Sequence, residues 1–431
     1  WTPADVPLKC VDVTIPSSLS YYPTITSSVE CDDLTIESGA SLVVNGSGQL
    51  TTYGTTTVKR TISNDLYWHF LSSPVSAQPI WNQFSPTPTG SPLTFGASPW
   101  NWDFYYYNPN CPSTGLYWVN LRKTNGDYNN GAIDQADSYA GFGTATPNMQ
   151  VGRGYLVAYG SGYSTSHNFT GTLNTGTVNI SKNNSADYYN LVGNPYPSSI
   201  DWKASSGWTR SDLATSDGGK NYWIWNDAGS GNYGVYNSAE TDDAGTNGTS
   251  RYIAPMQGFF VEAADLGTFT MSMNNDVRVH STQSWLKNEN FTPGSLRLKL
   301  TTSANNFSDE IIVSFNSSFS GTQGTAKLWS WYEEAPELYS VKAGSNYSID
   351  RYNTVNDSSE IRVSAKCGVD ANYTITATNI ADFALCNKVY LEDLKTGNKI
   401  NLKENNSYSF AGGPNDDRAR FKLTFAETIG T

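Results

Sequence analysis

From about residue 285 onward the chain alternates apolar and polar positions with a period of two. GSLRLKLTT places Leu296, Leu298 and Leu300 on one face, and EIIVSFN does the same with Ile311, Val313 and Phe315. Further runs, SSEIRVSAK, NYTITATNI, KVYLEDLK, YSFAGG and RFKLTF, supply enough strands for two packed sheets. An antiparallel β-sandwich is therefore expected over residues 282–425, with 426–431 as a linker stub.

The first 60 residues keep a shorter rhythm. Leu34, Leu42, Leu50 and Val58 recur every eight positions, and Gly39, Gly46, Gly48 and Gly54 fall between them. Short strands separated by glycine turns fit either the coils of a small β-solenoid or a meander. A solenoid coil buries its apolar face only against a neighbour, so residues 1–60 are expected to pack on the middle region of the chain.

Residues 61–281 contain an internal duplication, with copies at about 61–181 and 182–281. YWHFLSSPVS from Tyr67 aligns with YYNLVGNPYPSS from Tyr188, FYYYNP from Phe104 with YWIWND from Tyr222, and MQVGRGYLVAY from Met149 with IAPMQGFFVEA from Ile253. HNFTGTLNTGTVNI and GTFTMSMNNDVRVH close the copies in the same order. Each copy reads as a β-sandwich or jelly-roll-like set of strands. Asn194-Pro195 and Tyr196-Pro197 should end a strand, because proline lacks the ladder N–H and pushes its predecessor to extended geometry. Ser73-Pro74 plays that part in the first copy, so the motif is assigned to architecture.

Composition agrees with an all-β protein. The chain carries 27 Tyr, 17 Phe and 13 Trp among many Thr, Ser, Asn and Gly, which suits twisted strands and tight turns. A net charge of −12 with no basic stripe argues against nucleic acid. No stretch approaches the roughly 20 apolar residues that span a bilayer. The chain starts at Trp1, and the expectation is a soluble mature chain from which any export signal has been removed.

None of the five cysteines forms a Cys-x-x-Cys pair. Proximity in sequence pairs Cys10 with Cys31 and Cys367 with Cys386, each disulfide worth roughly 3 kcal/mol, and implies an oxidising, extracytoplasmic setting. Cys111 is left over.

Catalytic motifs are absent: no His-Glu-x-x-His, no Gly-x-Ser-x-Gly, no Walker lysine loop. The three histidines, His69, His167 and His280, are far apart in sequence, and His69 and His280 lie beside apolar strand residues, where a satisfied structural position is expected. Asp127, Asp201, Glu240 and Glu262 are candidates for a glycosidase-like carboxylate pair, whose spacing sequence does not reveal. Asp227, Asp242, Asp243 and Asn247 gather in Gly-rich loops; they read first as turn formers and second as calcium ligands. Trp100, Trp102, Tyr105, Trp223 and Trp225 lie in two aromatic clusters beside Asn and Asp. Their first reading is core, their second a face for sugar rings or a partner.

VGNPYPSSIDW, YWHFLSSPVS and MQGFFVEA strongly resemble segments of large secreted and surface proteins of the Bacteroidota exported by the type IX secretion system. The sandwich segments APELYSV, VYLEDLKTGNKINLKENNSYSF and DDRARFKLTF are similar to the domain that commonly precedes their removable sorting domain. The resemblance covers roughly residues 60–425 and implies a delivery route, an extracellular or outer-surface location, rather than an activity. It places Asp416, Asp417 and Arg420 on the family's acidic pair and arginine, as a loop pin at a strand entrance. The expected function is a non-catalytic structural or adhesive surface or matrix protein, open to homo-oligomer or fibre contacts. A carbohydrate-binding protein contacting surface polysaccharide is the alternative, and a glycoside hydrolase ranks third.

Overall fold

A computed structural model describes residues 6–65, 67–80, 84, 102–110, 117–120, 148–160, 163–227, 229–281, 294–321 and 323–428. The chain is all-β, and its contacts group it into two compact units: Trp1–Ala214 with Tyr252–Trp285, and Thr215–Arg251 with Leu286–Thr431. These units differ from the three-part division read from the sequence, because Thr215–Arg251 groups by its contacts with Leu286–Thr431 rather than with the rest of the middle region.

The first unit opens with parallel coils. Val13–Ile15 pairs in parallel with Leu34–Ile36, and Leu34–Ile36 with Thr56–Thr61. Thr24–Ile25 against Val43–Val44 and Ser28–Cys31 against Gln49–Thr52 complete the other faces. This is a solenoid rather than a meander, and its pitch is one coil of 21 to 22 residues, from Val13 to Leu34 to Thr56. The eight-residue rhythm marks successive faces within a coil. Gly48 sits where the corner tightens: a Cβ there would lie 2.2 Å from the Ile25 carbonyl oxygen, so only glycine fits.

The two aligned copies pair their strands in corresponding ways. In the first, His69–Leu71 pairs with Tyr155–Tyr159; in the second, Tyr189–Gly193 pairs with Gly258–Glu262, both antiparallel. Each copy's closing strand then pairs with the strand that precedes the copy. Ser166–Thr170 pairs with Thr56–Thr61, and Gly267–Met273 with Val178–Asn184. Trp102–Tyr107 pairs with Trp118–Asn120, as Gly219–Asn226 does with Asn232–Asn237. Edge-to-face contacts among Phe70, Tyr107, Trp118 and Phe260 join the copies inside the first unit.

The Asn-Pro-Tyr-Pro turn is a buried knot. The Asn194 side-chain amide donates to the carbonyls of Ser198 and Ala254, both at 2.8 Å, while its oxygen accepts the Tyr196 N–H at 3.0 Å. The Tyr196 hydroxyl donates to Gly176 O at 2.6 Å, and the Arg278 guanidinium lies 4.7 Å from the ring centre. Leu42 of the solenoid donates its N–H to Pro197 O. Proline ends the strand, and the exposed carbonyls are then used to dock the coil.

In the second unit an eleven-stranded sheet curls, nearly closed and barrel- or sandwich-like, around one core. Leu296, Leu298, Leu300, Ile311, Val313 and Phe315 all face that core, as their alternation requires. The strands form one continuous ladder, and one pair, Ser308–Phe315 with Ser345–Tyr352, is parallel. Residues 215–251 are tied in by buried charges. Arg351 Nε bonds Glu240 Oε1 at 2.6 Å, and Arg297 donates to the carbonyls of Ala244 and Gly245 at 2.7 and 2.8 Å.

The paired cysteines are not bonded. Cys10, Cys31, Cys367 and Cys386 are all free thiols, which corrects both expected disulfides. Cys386 pairs with Thr428 at one end of Phe421–Thr428, whereas Cys367 comes just after a strand whose Val363 pairs with Phe421 at the other end. At ~3.3 Å per residue that separates them by more than roughly 20 Å, against a limit of about 7 Å between Cα atoms. Cys31 points into the solenoid core while Cys10 sits exposed in the turn before Val13.

Candidate functional site

The ligand-binding reading of Trp223 and Trp225 is corrected by their burial. Both rings are inside, at 0% and 3% exposure. A face for sugar rings needs exposed rings, but the hairpin Gly219–Asn226 and Asn232–Asn237 is covered on both faces, which leaves these two with their first reading as core. Trp223 Nε1 donates to Ala326 O at 3.1 Å, and Trp225 stacks on Trp331 with centres 4.4 Å apart. Tyr105 is half-buried and meets Trp68 edge-on at 5.7 Å. Trp102 opens the strand Trp102–Tyr107. Trp100, Cys111 and Asp127 lie outside the described residues.

The proposed calcium ligands are engaged in holding the second unit together. Asp242 accepts a short hydrogen bond from Ser295 Oγ, Asp243 pairs with Arg251 at 3.2 Å, and Asn247 donates its amide to Tyr233 O at 2.8 Å and Asp309 Oδ1 at 2.9 Å. Asp227 is buried. Among the described residues no group of three or more His, Cys, Asp or Glu side chains is arranged to hold a metal ion.

Arg420 forms its carboxylate fork with a residue that the sequence did not single out. Nε and Nη2 reach Asp393 Oδ1 and Oδ2 at 3.0 and 2.8 Å, and Nη1 donates to Ala411 O at 2.9 Å. Asp416 stands 3.7 Å from Nη1 and is held by Lys395 at 2.8 Å. Asp417 turns back onto the Ala419 N–H at 2.9 Å. Burial raises the Asp393 carboxyl, but the hydrogen bonds from Arg420 and Tyr408 outweigh it and leave its pKa below the ordinary value.

Two of the acids weighed for catalysis, Glu240 and Asp201, have structural partners. Glu240 is taken by Arg351, and Asp201 Oδ1 accepts the Lys203 N–H at 2.8 Å. Glu262 is raised by burial and then by Asp187. His280 lies 2.9 Å from both Thr24 Oγ1 and Ser41 Oγ, pinning the coil to Arg278–Val279. His167 stacks on Phe84 and Tyr159 inside the first unit. His69 is pushed down to about 4 by burial, with Arg60 adding to the effect and Asp65 opposing it.

Two surfaces that sequence reasoning passed over present apolar groups to solvent. In the first unit, Val13–Ile15 lies at the end of its sheet. A groove of about 620 Å³ runs beside it, lined by Val6, Leu8, Val11, Leu19 and Tyr21 among others, with Tyr21 at 91% exposure. In the second unit, Trp329 is 41% exposed and edge-on to Tyr339 at 5.2 Å. Half-buried Trp331 rests on the buried Trp225, and Tyr332 stacks on Phe307 at 4.9 Å. The string WSWYEEAP was the available signal for this second surface, but its rings alternate with serine much as core rings do.

Fold and surfaces define an all-β protein that joins a parallel solenoid to duplicated antiparallel strands and a curled sheet. The model of a family described as a domain of unknown function, DUF8693, matches residues 1–425, and the chain belongs to that family. Comparison with curated proteins and with solved structures gave no match. Among the described residues no helix is long and apolar enough to cross a membrane.

Proposed function

We propose that this chain is a non-catalytic structural or adhesive protein of the extracellular surface that associates with further copies of itself through the open edge of its solenoid. The observation that carries this reading is the groove beside Val13–Ile15. An edge strand offers unpaired N–H and C=O groups, and apolar side chains this exposed, next to such an edge, mark an interaction surface. A second copy could add a strand there and cover Leu8, Val11 and Tyr21 in one step. The extracellular placement rests on the resemblance of the duplicated and C-terminal motifs to exported surface proteins.

Sedimentation velocity over a wide concentration range tests the proposal. The native chain should form larger species as concentration rises, and Leu8→Asp with Val11→Asp should hold it as a monomer. A chain that stays monodisperse and binds neither cells, polysaccharide nor itself defeats the reading.

Trp329, Trp331 and Tyr332 favour a second reading, contact with surface polysaccharide. Rings fixed by stacking on Trp225 and Phe307 offer sugar CH groups a flat face at little entropic cost. Pull-down with insoluble polysaccharides, repeated with Trp329→Ala, decides it: equal retention of both proteins removes this surface from consideration.

A further inference from the structure

Within the second unit, Lys327 and Asp309 are both at 0% side-chain exposure, with Nζ 2.5 Å from Oδ2. Asp309 is generously supplied with donors. Oδ1 accepts the Asn247 side-chain amide and the Glu310 N–H, each at 2.9 Å, and Oδ2 also accepts the Leu338 N–H at 2.7 Å. Lys327 is in the opposite position. An ammonium has three N–H donors, and among the described residues the Lys327 ammonium has one acceptor, Asp309 Oδ2. Burying a charge is costly unless its hydrogen-bonding groups are matched, and here one carboxylate oxygen faces an ammonium with two donors to spare.

We propose that Lys327 and Asp309 condense to an intramolecular amide, a side-chain crosslink made by the folded chain itself. The ammonium passes a proton to the carboxylate, giving a neutral amine beside a carboxylic acid. Nζ attacks Cγ, the N–C bond forms, one Cγ–O bond breaks, and that oxygen leaves as water with the protons released by nitrogen. Ammonium plus carboxylate gives amide plus water, so no oxidant, nucleotide or metal enters the balance. The Asn247 amide and the Glu310 N–H, both aimed at Oδ1, hold the oxygen on which negative charge develops during the attack. Burial keeps out the water that would reverse the reaction.

The product removes both buried charges and the two surplus donors of Lys327. Asp309 lies in Ser308–Phe315 and Lys327 comes directly after Thr325–Ala326, and both strands pair with Ser345–Tyr352. The crosslink therefore staples neighbouring parts of the sheet, and it does not depend on the self-association proposed above.

Intact-mass spectrometry of the full folded chain tests it. The expected mass is lower than that of the sequence by one water, and digestion should yield a branched peptide joining the segments that carry Asp309 and Lys327. Lys327→Arg, which keeps the charge but lacks the nucleophilic amine, should restore the full mass; Asp309→Ala should do the same. The native chain alone is decisive if either variant fails to fold. A folded native chain at the full sequence mass, with the two peptides recovered separately, overturns the proposal. Water loss that survives in Lys327→Arg overturns it equally.

Discussion

Asn194 holds Ala254: its side-chain amide donates to the Ala254 carbonyl at 2.8 Å inside a turn from which water is excluded. The same amide serves Ser198, so Asn194→Ala strands two buried acceptors together with the Tyr196 N–H. A loss of about 1–3 kcal/mol is expected for groups left unpaired in this way. Asn194→Asp should do no better, because a carboxylate has no N–H to give. Urea denaturation checks this, and unchanged midpoints would show that the turn is not a structural knot.

Trp225 and Trp329 should separate stability from binding. Trp225→Ala empties a fully buried site and is expected to cost about 3–5 kcal/mol. Trp329→Ala should stay within about 0.5 kcal/mol of the native chain, as surface changes usually do. Thermal unfolding compares the pair, and the polysaccharide pull-down then reports on Trp329 alone.

The Arg420–Asp393 fork is buried, whereas the Lys388–Glu427 pair is exposed. Asp393→Ala leaves Arg420 as a buried charge without its main partner and should cost about 3–5 kcal/mol. Glu427→Gln should leave the unfolding midpoint unchanged. Because Asp393 has its pKa lowered in the fold, its contribution is present above the ordinary carboxylate value and is lost as pH falls through the folded pKa.

His69 predicts acid sensitivity in a different window. Its pKa falls from 6.5 to about 4 on folding, so the unfolded chain binds the proton first. The stability that depends on a neutral His69 is complete above about 6.5 and declines as pH drops toward 4. Melting temperatures of the native chain and His69→Gln across that window should show a shallower decline for the variant. Parallel curves would remove His69 from the account.

The four described thiols should differ in reactivity. Cys10 is exposed and should be alkylated in the folded protein. Cys31, Cys367 and Cys386 are buried, and burial lifts Cys367 to about 11, so these three should react only after unfolding. Alkylation and then peptide mass mapping give the order directly.

Local pattern carried much of this fold. Leu296, Leu298 and Leu300 face the core because side chains alternate along a strand, and that holds whatever the neighbours are. The aligned copies pair their strands alike because the same apolar runs and proline stops recur in the same order. Where reasoning stayed local it also misled. The interval between Cys367 and Cys386 is short along the chain, but strand direction sends the two thiols to opposite ends of Phe421–Thr428. Asp416 and Asp417 lie beside Arg420 in sequence, yet the bidentate partner, Asp393, comes from another strand of the sheet.

The sequence by itself determined an all-β chain, the glycine corners of its coil, the period-two faces of its last domain and the proline stops of its repeated halves, because each arises from the geometry of a few consecutive residues. Long-range packing decided that Trp223 and Trp225 are enclosed, that residues 215–251 group with the C-terminal unit, and that Lys327 meets Asp309 away from water. Those outcomes depend on which distant strands become neighbours, and therefore on burial and charge compensation that no short window of sequence contains.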